Sequence, residues 1–279
     1  MEILKTKGKV KAVVQSWKSK GYTIGLVPTM GALHEGHLQL VRRSLIENDK
    51  TICSIFVNPL QFNKKEDLDK YPDTFEQDLQ FLEKEGCDIV FAPEAEAFYE
   101  GVGANYYDFG LLGTVMEAQH RPGHFEGVAA VVKELFLAIM PQKAYFGEKD
   151  FQQLSIIKWL RTTEQFPIEI VGCDTVRSGR GLALSSRNLR LTEKALLTAA
   201  EIYATLNFCR NNVVIFDPQT LVEHAIAKLN QNCEVEYFEI VDEETFERVE
   251  EWEETTCPRA FVVVHLEGVR LIDNLSLNP

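Results

Sequence analysis

Apolar positions along the first two thirds of the chain follow two alternating patterns. Short continuous apolar runs, which predict buried strands, alternate with segments whose apolar residues recur every three or four positions, as on one face of a helix. The predicted strands span 23–27, 51–57, 87–93, 144–147 and 168–176. The predicted helices cover 10–17, a segment from about 36 to 45, 75–82, about 128–139 and 154–160. This order predicts βαβ units, and hence an α/β fold with a mostly parallel sheet.

The pattern changes near residue 176. Two helical segments, about 192–210 and 218–230, precede three strand-like runs at 235–242, 259–268 and 269–277. Helices followed by strands predict a smaller α+β domain. We therefore place one domain at 1–175 and a second at 176–279. The sequence RSGRGLALSSRN at 177–188 opens the second domain, and its glycines predict a hinge on which that domain closes as a lid. A Gly- and Tyr-rich loop is predicted at 99–110.

Composition narrows the class of protein. The 279 residues are 45% hydrophobic and carry a net charge of −13, which disfavours a broad nucleic-acid surface. No apolar run has the roughly 18 residues of a membrane span, and the first 21 residues lack the features of a signal peptide. The six cysteines form no C-x-x-C pair, so free thiols are favoured over a zinc cluster or disulfides. We expect a cytoplasmic protein that binds neither nucleic acid nor membrane.

Candidate chemistry first appears where the strand 23–27 gives way to a helix, in PTMGALHEGHLQL (28–40). The N-terminus of a helix presents free N–H groups and partial positive charge to anions. Gly31 and Gly36 allow close backbone approach to a phosphate, and His34 and His37 are spaced to share one face of the first turn. Their imidazoles are suited to donating hydrogen bonds to a departing pyrophosphate. Two metal ligands, or two surface or capping histidines without a chemical role, remain as alternatives.

Three further motifs follow predicted strands or glycines. In GEKD (147–150), Lys149 is suited to phosphate as a point charge, or is a solvated loop lysine. In LSSRN (184–188), two serine hydroxyls and Arg187 form an anion-binding set, and an N-cap of the next helix is a compatible alternative. In FVNPLQF (56–62), Asn58 and Gln61 suit a small polar acid, and Gln153 is expected to face the same space. A surface amide is the alternative for an isolated glutamine.

These stretches, taken together, resemble the pantoate–β-alanine ligase (pantothenate synthetase) family of the H-x-G-H nucleotidyltransferase superfamily. The resemblance also includes YPDTFEQD (71–78), RPGHFEGV (121–128) and RLIDN (270–274), in the family's order and over nearly the whole chain. It implies a Rossmann-like first domain and ATP-dependent ligation of (R)-pantoate and β-alanine, with AMP and pyrophosphate released through a pantoyl adenylate. It also implies a role in pantothenate and coenzyme A biosynthesis, Mg²⁺ accompanying ATP, and a homodimer.

The resemblance assigns roles to individual residues. His34, His37 and Lys149 correspond to the catalytic set, and no metal ligand is implied. Gln61, Gln153 and Asn58 correspond to pantoate contacts, and Gln61 also contacts β-alanine. The ATP contacts correspond to Met30, Gly31, His34, Gly36, His37, Gly147, Glu148, Lys149, Asp150, Val176, Leu184, Ser185, Ser186 and Arg187. A direct role for Arg121 or His124 stays open.

The chain departs from the family pattern at three positions. Arg180 replaces an acidic residue, and Ala130 and Glu134 stand where threonine and lysine are usual. At Arg180, a weak attraction for ATP and a side chain without a role both stay open.

Rival classes make different demands on the sequence. A nucleotidyltransferase acting on a phosphate would share His34 and His37 but would lack NPLQF with Gln153. A relative of the aminoacyl-tRNA synthetases would need a basic surface, and a scaffold would not need the reactive residues.

Overall fold

The protein is described by a computed structural model that covers residues 1–63, 65–103 and 106–278. The chain divides into two compact units. Unit 1 comprises Met1–Gly113, Glu117–Glu148 and Gln152–Asp174. Unit 2 comprises Thr175–Pro279 together with two short segments, Thr114–Met116 and Lys149–Phe151. Of the predicted loop 99–110, residues 104 and 105 lie outside the described residues.

Unit 1 is built on a parallel sheet, which has six strands in the described part of the chain, in the order β1-β4-β3-β2-β5-β6. The strands are β1 (Glu2–Leu4), β2 (Ile24–Thr29), β3 (Lys50–Ile55), β4 (Ile89–Phe91), β5 (Lys143–Gly147) and β6 (Glu169–Cys173). The helices are α1 (Lys7–Ser19), α2 (Glu35–Glu47), α3 (Lys65–Asp69), α4 (Phe75–Glu85), α5 (Ala95–Tyr99), α6 (Glu117–His120), α7 (His124–Ile139) and α8 (Phe151–Thr163). The predicted Rossmann-like α/β fold is confirmed.

Both faces of this sheet are buried. Successive residues of a strand point to opposite faces. Ile24 and Leu26 of β2 accordingly belong to one apolar cluster with α1, α7 and α8, whereas Val27 belongs to another with α2 and α4. Helices therefore cover both sides, which explains why the strands read as continuous apolar runs.

The strand order reverses between β2 and β5. From β2 the chain moves outward through β3 to β4, whereas β5 lies on the other side of β2 and leads to β6. In open parallel sheets, ligands bind beyond the carboxyl ends of the strands at such a reversal. The segments after β2, β3 and β5 leave the sheet at this edge. They carry the motifs PTMGALHEGHLQL, FVNPLQF and GEKD, respectively.

Unit 2 packs two helices on a small antiparallel sheet. Within the described residues the sheet has three strands, in the order β7 (Glu234–Asp242), β8 (Pro258–Leu266) and β9 (Val269–Ser276). One apolar cluster joins it to α9 (Glu193–Asn211) and α10 (Pro218–Leu229). This agrees with the predicted α+β arrangement.

Several elements and boundaries differ from the predictions, among them β1, the start of α7 and the end of β6. The sequence did not predict β1, because only Leu4 of its three residues is buried. The helix α7 begins at His124 rather than near 128, since His124 and Phe125 are already buried. The strand β6 ends at Cys173 rather than 176.

Two general features complete the description. The described residues contain no helix that is both long and apolar enough to cross a membrane. The six cysteines are free thiols: Cys53, Cys87, Cys173 and Cys209 are buried, and Cys233 and Cys257 are half-buried.

Candidate active site

The two histidines of PTMGALHEGH stand at the start of α2. His34 is the N-cap, and its Nδ1 accepts a hydrogen bond from the Gly36 N–H at 3.1 Å. The His34 N–H donates to Nδ1 of His37 at 3.3 Å, and the two ring centroids are 4.1 Å apart. The histidines thus do cap the helix, which the sequence had left as an alternative. Because each Nδ1 accepts a hydrogen bond, each neutral ring carries its proton on Nε2. Capping therefore presets both rings as Nε2–H donors.

The loop before α2 is held by a residue that sequence reasoning missed. Asp78 of α4 accepts hydrogen bonds from the N–H groups of Ala32 at 2.9 Å and Leu33 at 2.8 Å. Gly31 and Ala32 both have positive φ, so the loop turns sharply here. Burial raises the pKa of the Asp78 carboxyl, although its hydrogen bonds to Leu33, Thr74 and Ala32 oppose that shift. Asp78 therefore fixes the path of the chain from β2 to His34.

Asn58 and Gln61 lie where the chain leaves β3, around the 3₁₀ helix Pro59–Gln61. The Oδ1 atom of Asn58 accepts from the Leu60 N–H at 3.2 Å and from the Tyr99 hydroxyl at 2.8 Å. Its Nδ2 donates to the Gly127 carbonyl at 3.0 Å and to Oε1 of Gln61 at 3.2 Å. Backbone N–H groups only donate and carbonyls only accept, so these contacts settle which atom of the Asn58 amide is oxygen.

The orientation of Asn58 determines that of Gln61. Since Oε1 of Gln61 faces Asn58, its Nε2 is turned toward Met30, whose Sδ lies 3.0 Å away. Met30 directly follows β2. Asn58 is buried and uses all four of its hydrogen-bonding positions on protein groups. These contacts orient Gln61, and the assignment of Asn58 as a pantoate contact stays a prediction.

The first turns of α7 pack against the 3₁₀ helix Pro59–Gln61. Nδ1 of His124 lies 2.8 Å from the Gln61 carbonyl oxygen. A Cβ added at Gly127 would lie 2.4 Å from the Leu60 carbonyl oxygen and 2.7 Å from the Gln61 nitrogen, so only glycine permits this packing. Arg121 forms an ion pair with Glu117 at 3.5 Å. Both residues of RPGH that the sequence left open thus contact protein groups.

Two adjacent glutamines on the first turn of α8 differ in their contacts. Gln152 is buried, and its amide accepts from the Glu117 N–H and donates to the Leu112 carbonyl. Gln153 is half-buried, and among the described residues its amide has no hydrogen-bond partner. Gly147 ends β5, and Glu148, also half-buried, begins the 3₁₀ helix that precedes α8. Of the two glutamines, Gln153 is the one whose amide is available to a ligand.

The remaining candidates belong to unit 2. The Lys149 side chain is only 18% exposed, with Nζ 3.5 Å from a carboxylate oxygen of Asp150, which does not fit a solvated loop lysine. Ser185 caps the 3₁₀ helix Ser186–Arg190 by accepting from the Arg187 N–H at 3.3 Å, while Thr192 caps α9. Just before Ser185, the Leu184 N–H donates to the Val176 carbonyl at 2.9 Å.

The three departures from the family pattern fall into two kinds. Glu134 is buried on α7 and pairs with Lys7 of α1 at 2.9 Å, so it joins two helices of unit 1. Ala130 is half-buried and Arg180 is exposed. The structure explains Glu134 and gives no reason for the other two.

The sheet, the paired Nε2–H donors at a helix start and the oriented glutamine define the class: a Rossmann-like α/β protein with hydrogen-bond donors at the strand reversal. The pantoate-beta-alanine ligase family matches residues 2–276, and the chain belongs to that family. This confirms the resemblance inferred from the sequence.

Individual relatives agree with this membership. A pantothenate synthetase of Christiangramia forsetii is 47% identical over 286 residues, covering 100% of both chains. The crystal structure of pantothenate synthetase from Thermus thermophilus is 38% identical, covers 100% of both chains and superposes with a TM-score of 0.92. A pantoate-beta-alanine ligase from Francisella tularensis, complexed with beta-gamma ATP and beta-alanine, is 33% identical, covers 99% of this chain and 98% of that one, and has a TM-score of 0.83.

Proposed function

We propose that the protein joins (R)-pantoate to β-alanine at the expense of ATP, forming pantothenate, AMP and pyrophosphate through a pantoyl adenylate. The observation that carries this proposal is the arrangement at the ends of β2 and β3. There, two imidazoles are preset as Nε2–H donors, and the amide nitrogen of Gln61 is turned toward Met30. These are donors for two anionic partners, a polyphosphate and a carboxylic acid. Membership of the ligase family supports the choice of substrates.

The first step activates the carboxylate. Its oxygen attacks the α-phosphorus of ATP, and the bond from that phosphorus to pyrophosphate breaks. Gln61 and Gln153 orient pantoate for this in-line attack, because donating amides match an acid's oxygens. His34 and His37 stabilise the charge that grows on the departing pyrophosphate.

Unit 2 supplies the other phosphate contacts in this proposal. Lys149 provides a point charge, and Ser185, Ser186 and Arg187 provide two hydroxyls and a guanidinium. We keep residues 1–175 as the domain that binds pantoate and the nucleotide, and 176–279 as the domain that closes over them. Closure would exclude water, which otherwise hydrolyses the adenylate.

The second step forms the amide. The uncharged amine of β-alanine attacks the carbonyl carbon of the pantoyl adenylate, and AMP leaves with the bridging oxygen that came from pantoate. Gln61 stays beside that carbonyl and is the contact proposed for β-alanine. A free carboxylate would not react in this way, since its leaving group would be oxide.

Magnesium enters with ATP as part of the substrate. The described residues contain no group of three or more His, Cys, Asp or Glu side chains placed to hold a metal ion. We therefore propose that Mg²⁺ is held by phosphate oxygens and water, as is usual for this ion. A homodimer in the cytoplasm completes the proposal, and six free thiols fit a reducing compartment.

The proposal is tested by following both nucleotide and oxygen. AMP should be released only when ATP and pantoate are both present, and pantothenate only when β-alanine is added. With pantoate labelled by ¹⁸O in its carboxylate, one labelled oxygen should appear in AMP. Release of ADP, or AMP without label, would refute the adenylate route, since the first implies a phosphorylated intermediate.

A further inference from the structure

The motif RLIDN places two buried polar residues side by side on β9 of unit 2. Asp273 and Asn274 are 4% and 3% exposed, although they sit in a strand of a small domain. Buried polar groups are retained where they make hydrogen bonds. Their partners are therefore informative.

Asn274 holds the backbone of Lys149. Its Nδ2 donates to the Lys149 carbonyl at 2.9 Å, and its Oδ1 accepts from the Arg259 guanidinium at 2.8 Å. A carbonyl only accepts and a guanidinium only donates, so the amide has one possible orientation. Arg259 in turn stacks on the ring of Phe151, two residues after Lys149, at 3.8 Å. The segment is thus held at the Lys149 carbonyl and again at Phe151.

Asp273 holds the start of the loop that carries the serines. Arg177 makes two hydrogen bonds to its carboxylate, at 2.5 and 2.9 Å, and a third to the Gly181 carbonyl at 3.1 Å. The Arg177 guanidinium also stacks on Tyr203 at 3.9 Å. The two partners are 14% and 2% exposed, so the pair is shielded from solvent.

The segment 177–181, in which the glycines predict a hinge, has a defined local conformation. The Ser178 N–H donates to the Leu182 carbonyl, which closes a tight hairpin. Gly181 has φ of +92°, and a Cβ there would lie 2.5 Å from Tyr203. The glycine permits a sharp turn and close packing.

We propose that Asp273 and Asn274 are positioning residues for ATP, which hold Lys149 and the base of the Ser185–Arg187 loop on one strand. The inference rests on the proposed function, in which both elements contact phosphates. Two adjacent residues of a rigid strand fix the spacing between the lysine and the serine loop. A lysine side chain is flexible, so fixing its backbone limits where its ammonium group reaches.

The test is a double-mutant cycle on pantoyl-adenylate formation. Asn274→Asp keeps an acceptor for Arg259 but sets a carboxylate oxygen against the Lys149 carbonyl. Asn274→Ser removes the donor without adding charge. Each should slow single-turnover adenylation about tenfold and raise the Michaelis constant for ATP, the size expected when one buried hydrogen bond is lost. The Michaelis constant for pantoate and the reaction of preformed adenylate with β-alanine should not change.

The decisive comparison uses a Lys149→Ala background. If Asn274 acts through Lys149, its substitutions should have almost no further effect there. Asn278→Asp is the matched control, because it adds the same charge and removes a similar bond, from Nδ2 to the Thr256 carbonyl at 3.1 Å. This control should react like the wild type.

The outcomes separate the inference from the proposed function. Three results would overturn the positioning role. The first is full additivity of the Asn274 substitutions with Lys149→Ala, and the second is an effect of Asn274→Asp that Asn274→Ser lacks. The third is an equal loss of rate in both half-reactions. Wild-type adenylation by Lys149→Ala alone would overturn the assignment of Lys149 itself, and the inference with it. If Asn274→Asp does not fold, Asn274→Ser carries the same comparison.

Discussion

Replacing Gly127 by alanine should damage pantoate use while leaving the fold of unit 1 in place. A Cβ at this position would lie 2.4 Å from the Leu60 carbonyl oxygen and 2.5 Å from its carbon, against an ordinary contact that begins at 3.4 Å. Both atoms belong to backbone, so no side chain can turn aside. The 3₁₀ helix must therefore move away from α7 by about 1 Å.

That displacement acts on Gln61, the residue that we propose contacts pantoate. Gln61 ends the same 3₁₀ helix, and the Gly127 carbonyl is one of the two anchors that orient Asn58. A misplacement of ~1 Å in a positioning element costs roughly 10²-fold in rate. We expect kcat/KM for pantoate to fall by about this factor, while binding of ATP changes little.

The assay is pyrophosphate release at varied pantoate with saturating ATP, with ATP binding measured separately by calorimetry. Gly8→Ala is the matched control, because Gly8 lies in α1, also in unit 1, and a Cβ there has nothing within 4 Å. It should keep full activity and be slightly more stable, since alanine favours a helix over glycine. A folded Gly127→Ala protein with wild-type kcat/KM for pantoate would refute the reasoning.

Two further substitutions test separate parts of the site, and a third tests an ion pair that stabilises the fold. His37→Asn keeps an acceptor in place of Nδ1, so the cap on α2 survives, but it removes the Nε2–H donor. Single-turnover adenylation should therefore fall by ~10²–10³. A rate near that of the wild type would show that His37 takes no part in the chemistry. Gln153→Ala should weaken pantoate binding more than ATP binding in calorimetry, because its amide has no partner among the described residues; equal losses would place it outside the pantoate contacts. Hydrogen bonds from Arg43 and Lys143 lower the pKa of Glu47 from 4.5 to about 2, so this carboxylate stabilises the fold above pH 4.5 and the contribution is lost as the pH falls toward 2. The Glu47→Gln protein should therefore unfold at lower urea concentration than wild type at pH 7, with the gap narrowing between pH 4.5 and 2; a gap that does not depend on pH would contradict the assignment.

The fold was predictable where one physical pattern dominates. Strands buried on both faces read as continuous apolar runs, and the long helices that cover them show one apolar face, so the order of the longer elements in both units followed from the sequence, whereas the short helices α3, α5 and α6 were not predicted. The strand β1 gave no such signal, because a three-residue edge strand with one buried side chain has no period to detect. The hinge predicted at 177–181 stays a prediction, because its glycines can be read in two ways. The sequence does not distinguish a glycine that permits mobility from one that permits close packing, as Gly181 does on Tyr203.

The sequence suggested the candidate ligand contacts, which stay predictions, but did not indicate which residues hold them in place. Asp78 contacts a loop 45 residues away along the chain, and Tyr99 contacts Asn58 from 41 residues away. No local pattern distinguishes these two from an ordinary helical acid and a core tyrosine. Only the packing of α4 and α5 brings them to the loops after β2 and β3.

Adjacent glutamines on α8 show what decides between a structural and a functional role. Gln152 and Gln153 are chemically identical, and nothing in their spacing ranks one above the other. The fold uses the donor and acceptor of Gln152 on the Leu112 carbonyl and the Glu117 N–H, and uses neither group of Gln153 within the described residues. A half-buried polar group whose hydrogen-bonding capacity the protein leaves unused carries a cost that a ligand can remove, whereas a group that the protein has already satisfied gains little from binding one. Unused hydrogen-bonding capacity at the strand reversal therefore favours Gln153 over Gln152, on physical grounds that the sequence alone does not contain.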